Sequence, residues 1–276
     1  MTDYLNYEFN IPGPEFAATY DELPLWSAPF GLLLLEHVPL KPGMTVLDVG
    51  CGTGFPLVEL AGRLGKTSRV YGIDRWKDAL AQLDRKVKTR GLENVSMVEG
   101  NAAAMPFEPE FFDLVVSNLG LNNFENKEKV FAESHRVLKK GGTFALTTNL
   151  VGHLREFYEV FEKVLAETGS GALLPALKAH VEQRAAVGTT VKNLQDAGFK
   201  LTKTIHGEFS LRFADGSSFL RHPFIKLAFL DGWKEVVGVG HLAEIFTLLE
   251  NRLNELSAAR GDWKTTVPMV YLEAEK

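Results

Sequence analysis

The chain has 276 residues, 45% of them hydrophobic and 24% charged, a globular balance that excludes global disorder. It carries 30 basic and 35 acidic side chains, 15 and 19 of them within residues 1–150. Neither half is basic, which argues against a nucleic-acid partner, and a single cysteine, Cys51, excludes an intramolecular disulfide and a cysteine-based zinc cluster.

In chain order, residues 1–23 are rich in aromatic and turn-forming residues (Tyr4, Tyr7, Phe9, Pro12, Gly13, Pro14, Phe16, Tyr20) and read as an irregular arm. A helix is predicted over Leu25–His37, closed by Pro39 and Pro42, which cannot continue its hydrogen-bond ladder. From Met44 strands and helices alternate. Thr45–Val49 is a buried-type strand, a glycine loop follows, and Pro56–Leu64 is a helix with proline in its first turn. Arg69–Ile73 is a second strand, ending at Asp74. In the next helix Trp76, Leu80, Leu83 and Val87 make one apolar stripe, and Gly91 stops it. The charges Arg85, Lys86, Lys88 and Arg90 read as its solvated face. Strands follow at Val95–Glu99 and Phe112–Ser117, then a helix at Lys127–Leu138, and Gly141-Gly142 turns into a fifth strand, Thr143–Thr148.

Helices are predicted at Arg155–Thr168, Pro175–Ala186 and Thr190–Ala197, and a strand at Lys200–Phe213 with Asp215-Gly216 as its turn. A mostly helical segment, 217–260, precedes a last strand, Val267–Glu273. That segment is too long for a hairpin loop and reads as either a cap or a functional lid. Alternating strands and helices imply parallel βαβ units in a doubly wound α/β sheet. One domain is expected over 1–276: an arm and helix at 1–40, a core at 41–150, and the rest of the sheet with the cap at 151–276. The longest apolar run, Phe30–Leu35, is too short to span a bilayer. The N-terminus carries Asp3 and Glu8 and no apolar run of a secretory signal, so the cytoplasm is the expected compartment.

The chemistry concentrates in Val46-Leu47-Asp48-Val49-Gly50-Cys51-Gly52-Thr53-Gly54. Alternate glycines let a backbone turn sharply against a ligand, and the loop feeds a helix N-terminus, which favours a negative group. Asp74 lies 20 residues beyond Gly54, at the strand end where a carboxylate accepts from ribose hydroxyls. A dinucleotide fingerprint would need glycine at 55, where the chain has Phe55. A nicotinamide-dependent oxidoreductase is therefore disfavoured.

Four segments in order resemble the class I S-adenosylmethionine-dependent methyltransferases, in particular the small-molecule group that includes the quinone-biosynthesis enzymes. They are Leu47–Gly54; Gly72-Ile73-Asp74; Val98–Ala102 with Met105-Pro106-Phe107; and Phe112–Asn118 with Arg136–Gly142. The resemblance implies a Rossmann-like methyltransferase sheet and S-adenosyl-L-methionine as cofactor. It places Asp48 on the methionine ammonium, and the backbone of Gly50, Cys51, Gly52 and Gly54 along the amino acid and ribose. Asp74 takes the ribose hydroxyls, Arg75 or Trp76 lies near the adenine, Asn101 and Ala102 meet the adenine edge, and Asn118 lies under the methionine. Position 101 is commonly aspartate in the family, and an asparagine oxygen still accepts a hydrogen bond. In Leu121-Asn122-Asn123-Phe124 many relatives carry a histidine before the aromatic, so a base there is not expected, and Asn123 is a substrate-side candidate.

The implied reaction is in-line methyl transfer to a small organic acceptor, in which positioning dominates and a base is needed only for a nucleophile that must lose a proton early. His153, soon after strand five, is the base candidate, and His222, before Pro223, a substrate-side one. Cys51 reads as a small spacer. With one cysteine the arsenite methyltransferases are excluded, and Ser117-Asn118-Leu119-Gly120 lacks the N-P-P-aromatic pattern of enzymes that methylate nucleic-acid amino groups. The alternatives are a cofactor-binding protein without transferase activity, the disfavoured nicotinamide-dependent oxidoreductase, and a protein or RNA methyltransferase, which would need a basic or peptide-sized groove. The rings of the arm and of the cap (Phe219, Phe224, Phe229, Trp233, Phe246) either close over the sulfonium or complete the core.

Overall fold

A computed structural model describes residues 3–7, 13–21, 26–183 and 186–276. Phe9, Pro12 and Leu25 of the predicted elements lie outside them, as do residues 184 and 185 of the predicted helix 175–186. The strands are β1 (Thr45–Val49), β2 (Arg69–Asp74), β3 (Val95–Glu99), β4 (Phe112–Asn118), β5 (Leu138–Asn149), β6 (Lys200–Phe213) and β7 (Trp263–Glu275). The helices are α1 (Pro14–Asp21), α2 (Ser27–His37), α3 (Leu57–Leu64), α4 (Lys77–Thr89), α5 (Lys127–Val137), α6 (Arg155–Glu167), α7 (Leu174–Glu182), α8 (Val187–Asp196), α9 (Gly216–Arg221), α10 (Pro223–Ile225), α11 (Asp231–Val237) and α12 (Leu242–Arg260).

The seven strands form one sheet in the order β3-β2-β1-β4-β5-β7-β6. β1 to β5 pair in parallel, and β7 runs antiparallel to β5. The order reverses between β1 and β4, so a crevice opens beyond their carboxyl ends, where ligands bind in open α/β sheets. Two compact units divide the chain, with boundaries at 149/150 and inside β6 and β7.

The first unit takes in residues 13–149, 186–207 and 269–276 of those described. β1 is buried over Val46–Val49, as a central parallel strand covered on both faces must be. Val46, Leu114 and Val116 of the sheet pack with Leu57, Leu60, Leu80, Leu83 and Val87 of α3 and α4. Leu80, Leu83 and Val87 of the predicted stripe are thus the core face of α4, whereas Trp76 stands just before the helix and outside that core.

Four predictions for this unit need correction. The arm contains a helix, α1, started by Pro14, whose missing N–H costs nothing at a helix start, and closed onto the Gly13 carbonyl by the Ala17 amide. Pro56 caps α3 from outside rather than occupying its first turn. β5 begins at Leu138, before the Gly141-Gly142 pair. Its register against β4 jumps from Phe112–Leu138 to Leu114–Thr143, because Gly141, at φ +71°, lets the intervening residues loop out. Lys86 is not on a solvated face: it is largely covered and holds two partners, described below.

The second unit takes in residues 150–183 and 208–268, with residues 3–7. Its core is aromatic. Phe157 lies 4.2 Å from Trp233 centroid to centroid, and Trp233 stacks on Phe229 at 14°. Tyr158 and Trp233 join through an indole-to-phenol hydrogen bond of 3.2 Å. Asp215 ends no hairpin; its carboxylate accepts from the Ser218 amide and caps α9. β7 begins at Trp263, earlier than predicted, and Glu156 in the first turn of α6 accepts from the amide and hydroxyl of Thr266. Among the described residues no helix is long and apolar enough to cross a membrane.

Candidate cofactor site

The loop after β1 and the end of β2 are one hydrogen-bonded construction. The Gly50 and Cys51 amides donate to the Ile73 carbonyl, at 2.9 and 3.3 Å. The Gly52 amide donates to Asp74 Oδ2 at 2.8 Å, and the Trp76 amide to Asp74 Oδ1 at 2.9 Å. Each carboxylate oxygen keeps a lone pair for another donor.

The glycines have separate reasons. Gly50, Gly52 and Gly54 all have positive φ, at 75°, 49° and 107°. A Cβ on Gly54 would sit 2.5 Å from Leu83 of α4, so this glycine serves packing as well as the turn. A Cβ on Gly52 would meet nothing within 4 Å, so the space over its backbone is open. Gly50 lies under the Phe124 ring, and a Cβ on Gly120 would come 2.5 Å from Ser117 Oγ.

Asp48 is fully buried, and neither carboxylate oxygen has a hydrogen-bond partner in full bonding geometry. Burial pushes its pKa up to about 8, Asp74 adds to the rise, and the Leu57 amide at the start of α3 opposes it only in part. Cys51 is buried against Gly72, and burial with the two carboxylates holds its thiol well above the usual range. It stays protonated, as a spacer does.

The other candidates fall in two groups. Asn118, at the end of β4, is tied on both sides: its amide donates to the Ser27 carbonyl at 3.3 Å, and its oxygen accepts from Thr147 at 2.7 Å. Asn101 is exposed, and its side-chain oxygen accepts from the Ala103 amide at 2.9 Å, which turns the loop after β3 and buries Ala102. Arg75 pairs at the surface with Glu125, at 2.8 Å. Trp76 packs between Phe16 and Tyr20 of α1, with centroids at 5.6 and 5.3 Å. Asn123 is exposed at the end of the turn Gly120–Asn122.

His153 and His222 belong to the other unit. His153 is fully buried, stacked on Phe229 at 28° with Tyr158 edge-on. His222 is partly buried, its Nδ1 accepts from the Phe224 amide at 3.2 Å and so caps α10, and burial lowers its pKa. Phe219, Phe224, Phe229, Trp233 and Phe246 of the cap are all buried inside that unit. They complete its core.

Sequence reading missed four residues at this end of the sheet. Ser117 ties β4 to β1 by donating to the Val49 carbonyl at 2.8 Å. Leu119 holds a left-handed conformation, φ 64°, while its amide donates to Thr147. Such strain in a leucine gathers at functional sites. Phe124 covers Gly50 and Gly120. Lys86 reaches the carbonyl of Thr53. A glycine beside Leu119 and the aromatic after Asn123 were visible signals; for Lys86 there was none.

Fold and site together define a class I, Rossmann-like protein whose strand order reverses at the β1–β4 crevice, where open α/β sheets take ligands. Residues 40–197 match the family described as the methyltransferase domain, and the chain belongs to it. The chain is 36% identical over 136 residues to the demethylmenaquinone methyltransferase of Geobacillus stearothermophilus, covering 48% of this chain and 58% of that one. To the enzyme of the same name from Bacillus cytotoxicus it is 42% identical over 108 residues, covering 39% and 46%. The chain thus spans about half the length of these relatives. Among solved structures it resembles a SAM-dependent methyltransferase from Aquifex aeolicus, at TM-score 0.55 and 22% identity over 71% of this chain and 93% of that one. It also resembles the YcgJ protein of Bacillus subtilis, at TM-score 0.58 and 16% identity over 90% and 98%.

The residues fit the S-adenosylmethionine that the family resemblance implies. A buried carboxylate with no full hydrogen bond calls for a cationic or donor group, open space lies over Gly52, and Asp74 has lone pairs to spare.

Proposed function

We propose that the protein transfers the methyl group of S-adenosylmethionine to a small organic acceptor. The observation that carries this reading is the pairing of the Asp74-braced glycine loop with the buried Asp48 carboxylate. When bound, S-adenosylmethionine supplies an electrophilic methyl on a sulfonium, so the chain's task is to hold and to exclude water.

In this reading Asp48 takes the methionine ammonium, and Asp74 accepts from the ribose hydroxyls with the lone pairs that Gly52 and Trp76 leave. The loop that Asn101 turns presents Ala102 to the adenine edge. Arg75 sits at the rim, paired with Glu125. Asn118 serves by bracing: it joins the end of β4 to α2 and β5. Asn123, exposed after β4, is assigned to the acceptor side. His153 and His222 are assigned to the packing and capping of their own unit, so no side-chain base is invoked.

The test is release of S-adenosylhomocysteine across a panel of small acceptors that includes a demethylated quinone, the substrate class in the name of the Geobacillus relative. Titration with S-adenosylmethionine, S-adenosylhomocysteine and NAD accompanies it. Binding of both sulfur compounds with turnover on one acceptor supports the reading. Binding without turnover on any acceptor favours a cofactor-binding protein, and binding of NAD alone overturns the methyltransferase reading.

A further inference from the structure

Lys86 lies on the third turn of α4, the helix that follows Asp74. Its ammonium donates to the Thr53 carbonyl in the glycine loop at 2.8 Å and pairs with the Asp21 carboxylate at the end of α1. One turn earlier on the same face, Gln82 reaches the Pro14 carbonyl at the start of α1, at 3.5 Å. Both ends of α1 are therefore held by α4, and one of the two holders also grips the cofactor loop.

Physical chemistry makes this arrangement more than surface pairing. The side chains of Lys86 and Asp21 are only 28% and 25% exposed, so water and salt screen them less than an open surface pair. An eight-residue helix is unstable alone, and a carboxylate at its C-terminal end is repelled by the helix dipole. α1 therefore needs a cation just where Lys86 supplies one. Thr53 sits between Gly52 and Gly54, where the backbone has the most freedom to move, and its carbonyl is the loop group that Lys86 fixes. On its inner side α1 places Phe16 and Tyr20 against Trp76, next to Asp74.

We propose that Lys86 is a positioning residue for the cofactor loop: with Asp21 as its anchor it couples the docking of α1 to the orientation of the Thr53–Gly54 peptide. This rests on the reading of the loop as the S-adenosylmethionine site. The helix Pro14–Asp21 lies outside the segment that matches the family.

The test is titration of the full chain with S-adenosylhomocysteine for wild type, Lys86→Met, Lys86→Arg, Asp21→Asn and the Lys86→Met/Asp21→Asn pair, with the melting temperature of each. Lys86→Met keeps the aliphatic stem and removes the charge. Roughly tenfold weaker binding is expected for Lys86→Met, as for loss of a hydrogen bond to a charged group. A similar loss is expected for Asp21→Asn. The double variant should be little weaker than either, since both act through one bridge, and Lys86→Arg should recover most of the affinity. Amide exchange of 14–21 should slow on ligand binding in wild type and not in Lys86→Met. Should Lys86→Met fail to fold, Asp21→Asn still decides, because among the described residues its carboxylate meets the loop through Lys86. Unchanged affinity in a folded single variant overturns the proposal, as does a lower melting temperature with unaltered affinity, or strictly additive losses. A wild type that does not bind S-adenosylhomocysteine overturns the site reading and this inference together, whereas a wild type that binds beside an unaffected Lys86→Met overturns the inference alone.

Discussion

The amide of Gly52 donates to the carboxylate of Asp74 across 2.8 Å, although the two residues are 22 apart in sequence. One side chain at the end of β2 therefore shapes the loop after β1 and also faces the cofactor's ribose in the proposed reading. Asp74→Ala removes both functions. Hydrogen bonds to a charged acceptor contribute about 1.5–3 kcal/mol each, so S-adenosylmethionine binding should weaken at least ~10-fold. The variant should also melt earlier than wild type, since the Gly52 and Trp76 amides lose their acceptor. Asp74→Asn should lose less on both counts. Calorimetric titration beside thermal denaturation checks this, and equal affinity in wild type and Asp74→Ala would remove Asp74 from the site.

Asp48 predicts a pH dependence. Its pKa stands near 3.8 unperturbed and at about 8 in the fold, so between these values the folded protein holds a proton that the unfolded chain lacks. That contribution to stability is complete below about pH 4 and is lost as pH rises through about 8. Unliganded wild type should lose stability over this window by at most ~1.4 kcal/mol per pH unit from this group, and Asp48→Asn should lack the slope. A cationic ammonium favours the carboxylate, so ligand affinity should rise from pH 6 to 8 with release of a proton. Calorimetry in buffers of different ionisation enthalpy measures that proton, and a pH-independent affinity would contradict the assignment.

Two neighbouring glycines should respond differently to alanine. Gly54→Ala places a Cβ 2.5 Å from Leu83 at φ 107°, and it should destabilise the fold by several kcal/mol or prevent folding. At Gly52 the φ of 49° is open to alanine at a cost of about 1 kcal/mol, and the new methyl group meets nothing. Gly52→Ala should therefore fold and bind S-adenosylmethionine poorly. Normal binding by folded Gly52→Ala would show that the open space there is not the ligand's.

The aromatic unit should behave as a core. Trp233→Ala is expected to cost about 3–5 kcal/mol of stability. His153→Phe preserves a ring against Phe229 and should leave kcat and the pH–rate profile unchanged. Loss of one limb of that profile with a roughly 10²–10⁴-fold fall in kcat would instead make His153 the general base.

Much of the first unit is written locally. The strands Thr45–Val49, Arg69–Asp74 and Val95–Glu99 and the stripe Leu80, Leu83, Val87 follow from side-chain period and from where glycine and proline stand, and each of those signals acts over a few residues. The glycine loop and Asp74 were legible for the same reason: backbone conformation and strand ends are local properties. Long-range pairing was not. Nothing in the run Arg85–Arg90 marks Lys86 as the one that turns inward to Thr53 and Asp21, because its partners come from other elements. Nor does sequence show that His153 is stacked under Phe229, that Asn101 spends its oxygen on Ala103, or that Asp48 lies buried with no full hydrogen bond. Those are consequences of burial and proximity, which set the pKa of a carboxylate and the freedom of a side chain, and only the assembled fold brings the groups close enough to decide them.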